Sequence, residues 1–297
     1  MQPLRWERRP DPLRAPALVC AFKGWNDAGE SASSALTFVG AGLKARRFAT
    51  IDPEEFVDFQ STRPTVRLDE GYTRRIDWPE FELYEARVPR APRDLILLAG
   101  IEPSMRWRTF CQAVVDVAEA LGVQLMVTMG ALLADVPHTR PVSITGMASD
   151  QGLIDRLGLV PPTYEGPTGI VGVLHAACAD AGMPSASLWA AVPHYVAVAP
   201  NPKGALALLR RLESLVGVTV DASDLETAAS DYDRQVTRAV ELDPEVQAFV
   251  ERLERAADEE LQAEQPSDLP SGDVLAREFQ RFLRQRGSGG SPPHASG

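Results

Sequence analysis

Short, continuously apolar runs alternate with longer segments of helical periodicity through the first 220 residues, and this alternation limits the fold more than any other feature. The runs at 17–22 (ALVCAF), 94–100 (DLILLAG) and 124–129 (QLMVTM) lack the polar residue at every second position that marks a half-exposed strand. They read as strands covered on both faces, with two more at 46–51 and 185–192. Helices are expected at 31–43, 107–121, 149–157, 169–181 and 202–216. In the second of these, Phe110, Val114, Val117 and Leu121 share one face. Segments 66–69 and 72–77 flank Glu70-Gly71 and predict a hairpin. Such an order gives an α/β fold with a mixed, mostly parallel sheet sandwiched between helices.

Residues 221–286 differ in kind. They carry 17 acids against 8 arginines, most of the chain's net charge of −11. The remaining body is near neutral, so no concentrated basic face exists for nucleic acid. Three helices are expected in this extension. A Ser223–Glu226 capping box starts one, Asp243-Pro244 the second, and Ser271 the third. Leu225, Ala229, Tyr232, Val236 and Val240 make one apolar stripe, Val246, Phe249, Val250, Leu253 and Ala257 a second, and Val274, Leu275, Phe279, Phe282 and Leu283 a third. Narrow stripes of this kind need a surface to pack on, either the body or a neighbouring subunit. The division is therefore an α/β body at 1–220, an acidic helical extension at 221–286, and a low-complexity tail (GSGGSPPHASG) at 287–297, which is expected to be disordered.

No run reaches the roughly 18–20 apolar residues of a membrane span. The apolar run at 17–22 is too short for a signal-peptide core, so a cytoplasmic protein is expected. Cys20, Cys111 and Cys178 each sit in an apolar segment without a Cys-x-x-Cys pair and read as buried thiols. No two histidines stand at metal-ligand spacing, so neither a metal nor a cofactor is expected.

Candidate site residues collect in loops that follow strands. The loop at 24–31 (GWNDAGES) approaches the phosphate-loop pattern, but Glu30 stands where a lysine must meet phosphate, which excludes nucleoside triphosphate here. Asn26 or Asp27 suits a cap for the next helix, yet that role leaves the bulky Trp25 unexplained. Glu102 ends the strongest strand, where open α/β sheets build ligand crevices, and is equally suited to a helix entry. Thr168 and Gly169 lead into a helix whose free N–H groups suit an anion, and Thr168 also suits an N-cap. His194 and Tyr195 follow the last strand of the body. Of four histidines His194 is the best-placed acid–base group, with His138 in a loop, His175 within a helix and His294 in the tail. Parallel strands bring such loops to one edge, so Trp25, Asn26, Asp27, Glu102, Thr168 and His194 are expected around one crevice.

An ordered set of strings resembles the proteasome assembly chaperone 2 family in its actinobacterial branch. They are FKGWNDAG at 22–29, Arg63-Pro64, Gly100-Ile101-Glu102-Pro103 with Trp107, VPHTRP at 136–141, GPTG at 166–169, and Pro193-His194-Tyr195 with Pro200-Asn201-Pro202. The resemblance implies a three-layer α/β/α sandwich similar to phosphorylase/hydrolase-like folds, and self-association, with a trimer ahead of a dimer. It implies proteasome-related partners, though the last residues, Ala295-Ser296-Gly297, lack the hydrophobic-Tyr-x ending by which assembly factors of that kind dock. A likeness to ATP-dependent carboxylate–amine ligases finds no support, since Lys23, Lys44 and Lys203 are the only lysines and no glycine-rich clamp holds one. Two readings stand. One is a non-catalytic oligomeric scaffold or assembly factor. The other is a small-molecule enzyme, of glycosyl-bond cleavage or transfer, with Asp27, Glu102 and His194 as acid–base groups and Thr168-Gly169 as anion seat.

Overall fold

The computed structural model describes residues 4–69, 73–149, 165–196 and 198–264, with 152 and 154 between. The strands are β1 (Leu4–Trp6), β2 (Ala17–Lys23), β3 (Arg46–Ile51), β4 (Thr65–Asp69), β5 (Thr73–Asp77), β6 (Phe81–Ala86), β7 (Leu95–Ile101), β8 (Leu125–Ala134), β9 (Ile144–Ala148) and β10 (Ser185–Pro193). The helices are α1 (Ser31–Gly42), α2 (Trp107–Ala120), α3 (Ile170–Asp180), α4 (Pro202–Val216), α5 (Ser223–Glu241) and α6 (Pro244–Glu264).

Eight strands form one mixed sheet in the order β1-β3-β6-β7-β2-β8-β10-β9. Its centre, β7-β2-β8-β10, is parallel. The flanks are antiparallel, so four of the seven described ladders are antiparallel and the parallel part is the middle of the sheet. On β2, Ala17, Val19 and Ala21 join the core under α1 and α4, while Leu18, Cys20 and Phe22 join the core under α2 and α3. Side chains alternate across a strand, so burial of both sets makes β2 the middle of a three-layer α/β/α sandwich. The second core holds an aromatic cluster in which Phe110 meets Phe22 at 5.7 Å and Phe56 at 5.4 Å between ring centroids, both edge-on.

Three strands escape the apolar-run reading: β1, β6 and β9. β6 alternates instead, with Phe81 and Leu83 buried. It also buries Glu85, whose carboxylate is held at 2.8 Å by both Arg8 and Arg46. β4 and β5 pair as a separate two-stranded ribbon, with their connecting turn outside the described residues.

Helix starts follow the local chemistry in part. Asn201 caps α4 by accepting from the Gly204 N–H at 2.9 Å, and Asp243 accepts from the N–H groups of Glu245 and Val246 at the start of α6. The expected capping box at α5 is not used. Asp221 takes the Ser223 N–H and hydroxyl instead, and the Glu226 carboxylate turns to Arg210. Thr168 does not cap α3; Gly169 occupies that position with no side-chain cap.

The first stripe of the extension packs on the chain's own body. Leu225, Ala229, Tyr232, Val236 and Val240 of α5 are buried, and Leu225 joins the core under α1 and α4. Val250 of α6 completes a small cluster with Tyr232, Val236 and Val240, against Tyr195 and Val196. The third extension helix, its stripe, most of the helix expected at 149–157, and the tail lie outside the described residues.

Candidate functional site: a tethered carboxylate at the strand ends

Two strand-end segments and the start of α3 converge at the carboxyl edge of the parallel strands. After β2, the backbone runs through Gly24, at φ 133°, to Asp27, which forms a parallel bridge to Ala131 on β8. The Asn26 carbonyl accepts from the Ala131 N–H at 2.8 Å, which fixes the loop to the sheet. After β7, the Glu102 N–H donates to the Lys23 carbonyl at 2.7 Å. The Glu102 Oε1 then accepts twice, from Asn26 Nδ2 at 2.6 Å and from the Ile170 N–H at 3.0 Å. One carboxylate oxygen thus ties the β2 loop, the β7 end and the start of α3 together. It satisfies one of the N–H groups that a helix start leaves open. Gly169 is required here because any Cβ would collide with the Asn26 amide. Asn26 is buried, and its Oδ1 has no partner among the described residues.

The other oxygen of Glu102 is differently placed. Oε2 lies 3.7 Å from the point that a Cβ on Gly24 would occupy. It has no hydrogen-bond partner among the described residues. Gly24 and Glu102 both line an open cleft of about 460 Å³, together with Lys23, Thr62, Ile101, Ser104 and Trp107. Lys23 is engaged at 2.9 Å by Glu30, the residue whose charge excludes a phosphate loop. Trp25 stands beside this edge with 67% of its surface exposed.

Asp27 is not free for chemistry. Its Oδ1 accepts from the Ala32 N–H at 2.7 Å and the Ser33 N–H at 3.3 Å, and its Oδ2 from the Ser33 hydroxyl. It is the side chain that caps α1. Burial holds its pKa above the ordinary carboxylate range, and the Ser33 and Ala32 donors offset only part of that rise. Thr168 is exposed, with its hydroxyl over Gly172.

His194 and Tyr195 belong to a second cluster. His194 Nδ1 lies 2.9 Å from Asp135, and its ring packs edge-on against Phe249 of α6 at 5.4 Å. Tyr195 meets His138, the histidine that a reading by strand ends passes over. His138 is 3% exposed. Its backbone N–H donates to the Tyr195 hydroxyl at 2.7 Å, and its Nδ1 sits 2.8 Å from the same oxygen. The Thr237 hydroxyl of α5 spends its proton on the Asp233 carbonyl at 2.9 Å, so in the neutral ring Nε2 is the donor, 3.1 Å from that hydroxyl, and Nδ1 accepts a hydrogen bond from the Tyr195 hydroxyl. Burial lowers the His138 pKa, Asp233 opposes that, and Lys203 reinforces it. Lys203 also bridges the His138 carbonyl to the Asp233 carboxylate. Arg140 grips Asp258 of α6 through two bonds of 2.8 Å. This cluster fastens the extension to the body. Its sequence signals were the VPHTRP and Pro193-His194-Tyr195 strings of the family resemblance.

The sequence-selected residues thus divide. Asn26, Glu102 and Gly169 meet, with Trp25 and Asp27 on the same loop and Thr168 adjacent. His194 and Tyr195 serve the extension. The three cysteines are buried and free, and burial pushes the Cys111 thiol up to about 12 and the Cys178 thiol up to about 11. Among the described residues no group of three or more His, Cys, Asp and Glu side chains is placed to hold a metal, and no helix is long and apolar enough to cross a membrane.

Fold and site define a three-layer α/β/α protein whose strand-end edge is organised around one tethered carboxylate. The chain belongs to the PAC2 family, whose model matches residues 21–240 and so runs through α5. It is similar to the crystal structure of a PAC2 family protein from Streptomyces avermitilis, with 50% identity and a TM-score of 0.74 over 79% of this chain and 99% of that one. A Mycobacterium tuberculosis proteasome-assembly chaperone homologue matches at 44% identity and a TM-score of 0.74, over the same shares. An archaeal proteasome activator from Pyrococcus furiosus shares the fold at 19% identity and a TM-score of 0.65, over 81% of this chain and all of that one. No curated protein matches the chain.

Proposed function

We propose that this protein is a cytoplasmic, homo-oligomeric scaffold of the actinobacterial PAC2 branch, acting in proteasome-related assembly by binding rather than by catalysis. The observation that carries the self-association is the β4–β5 ribbon. Val66 pairs with Ile76 in register, and Leu68 lies two residues along the same face, opposite Arg74. These side chains are 54%, 49% and 68% exposed. The opposite face carries Arg67 and Arg75 beside Asp77. A two-stranded ribbon with its apolar face in water is marginal alone, and a second copy covering that face supplies what it lacks. By the family resemblance a trimer is the first expectation. The assembly role rests on family membership and on relatives named for proteasome assembly.

The state of the acid–base candidates supports binding over chemistry. Asp27 caps a helix, and His194 is held between Asp135 and Phe249. The enzyme reading keeps one group, Glu102, which lines the cleft and whose Oε2 has no hydrogen-bond partner among the described residues.

Light scattering tests the scaffold. The parent chain should run as an oligomer, and a Val66→Asp, Ile76→Asp double variant as a monomer with an unchanged circular dichroism spectrum. Adding the parent oligomer to separately purified proteasome outer-ring subunits of the source organism should speed ring formation, and the double variant should not. A parent chain that stays monomeric at every concentration and leaves ring formation unchanged overturns the proposal.

A further inference from the structure

The cleft beside Glu102 carries an inference independent of self-association. Its two ionised wall residues are Lys23 and Glu102. The Lys23 ammonium is neutralised at 2.9 Å by Glu30, so Glu102 contributes the uncompensated charge. That carboxylate is held in one orientation because Oε1 accepts from Asn26 and from the Ile170 N–H. Its Oε2 lies on the Gly24 side of the wall, without a partner among the described residues. Gly24 has no side chain to cover it, and at φ 133° a substituent would be strained as well as 3.2 Å from the Glu102 Cβ. Thr62 and Ser104 add hydroxyls, and Ile101 and Trp107 supply apolar and aromatic walls.

We propose that this cleft binds an organic cation, an ammonium or guanidinium group on an aliphatic stem, with Glu102 Oε2 as its acceptor. The chemistry selects charge sign first. A fixed carboxylate accepts from a cationic donor in a charge-assisted hydrogen bond and repels an anion. Pre-positioning by Asn26 and α3 removes most of the ordering cost on the protein side. The stem lies against Ile101 and Trp107, where an aromatic ring also favours a cation. The open mouth admits a free amine or a lysine or arginine side chain borne by a polypeptide.

Isothermal titration of the full chain with n-butylammonium, arginine amide, and an acetylated, amidated Gly-Arg-Gly peptide tests this, with butyrate as the anionic control. The three cations should bind saturably and butyrate should not. Glu102→Gln keeps an oxygen for Asn26 and the Ile170 N–H but turns an amide donor into the cleft. It should weaken cation binding at least about tenfold, the scale of one hydrogen bond to a charged group. Thr62→Arg, on a surface turn, places a competing guanidinium in the cleft and should abolish binding, which keeps the test open if Glu102→Gln does not fold. Tighter binding of the peptide than of arginine amide supports the proposal with a polypeptide source, and the reverse order supports it with a free metabolite. Absence of saturation by any cation up to roughly 10 mM overturns it, as does binding that both variants leave unchanged. Neither result touches the oligomer mass that tests the scaffold.

Discussion

Replacing Tyr195 by phenylalanine removes a single oxygen, and that oxygen serves two bonds in the His138 cluster. It accepts from the His138 N–H at 2.7 Å and donates to Nδ1 at 2.8 Å. Phenylalanine strands a donor and an acceptor on a residue that is 3% exposed. A stranded buried polar group costs about 1–3 kcal/mol, so two such groups at the lower end cost about 2 kcal/mol in all. For a chain of this size that lowers the melting temperature by roughly 4–8 °C. Acid acts on the same network. Burial holds His138 below the ordinary histidine range, so as pH falls below about 6.5 the unfolded chain takes up the proton first. Its contribution is therefore complete above that value and is lost as pH falls through the depressed folded pKa. His175 is depressed by burial in the same direction and adds to the same acid limb. His138→Gln should shorten that limb without removing it. Calorimetric melts between about pH 5 and pH 8 measure both effects. A Tyr195→Phe chain that melts within about 1 °C of the parent at pH 8, or a His138→Gln chain with the parent's full acid limb, would refute the network as drawn.

Gly169→Ala should destabilise the chain by about 1–3 kcal/mol in urea unfolding, because its Cβ drives into the Asn26 amide and must displace the tie to Glu102; Gly182→Ala, with nothing within 4 Å of its Cβ but at φ 66°, is the control for backbone strain alone. Cys20, Cys111 and Cys178 should resist iodoacetamide in the native chain at pH 8 and react once it is unfolded, since burial holds all three thiols protonated. Fast labelling of the native protein, read by mass spectrometry, would contradict that burial.

The parts of the fold legible in the sequence are those where one local signal has one structural meaning. Ala17 to Phe22 is apolar at every position because β2 faces helices on both sides, so period and burial agree. β6 fails that test, since Glu82 and Glu85 break the run, and the burial of Glu85 is made tolerable at close range by Arg8 and Arg46, both distant in sequence, with Arg87 at 3.7 Å. The Ser223–Glu226 capping box misled for a related reason: Asp221 competes for the same donor, and Arg210 competes for Glu226. The site divides along the same line. Strand-end position singled out Asn26 and Glu102, which the fold brings into contact, but their union with α3 spans 68 residues from Glu102 to Ile170 and carries no local trace. His194 had the position of an acid–base group. His138 lies in a loop, and its partner Thr237 is 99 residues away on a helix that must first dock. Position after a strand therefore identifies where side chains gather, while the number of protein donors already on each group decides what remains for a ligand. By that measure Asp27, with both oxygens taken by α1, is scaffold. Glu102 is divided, with one oxygen holding three segments of the fold together and the other left to the cleft.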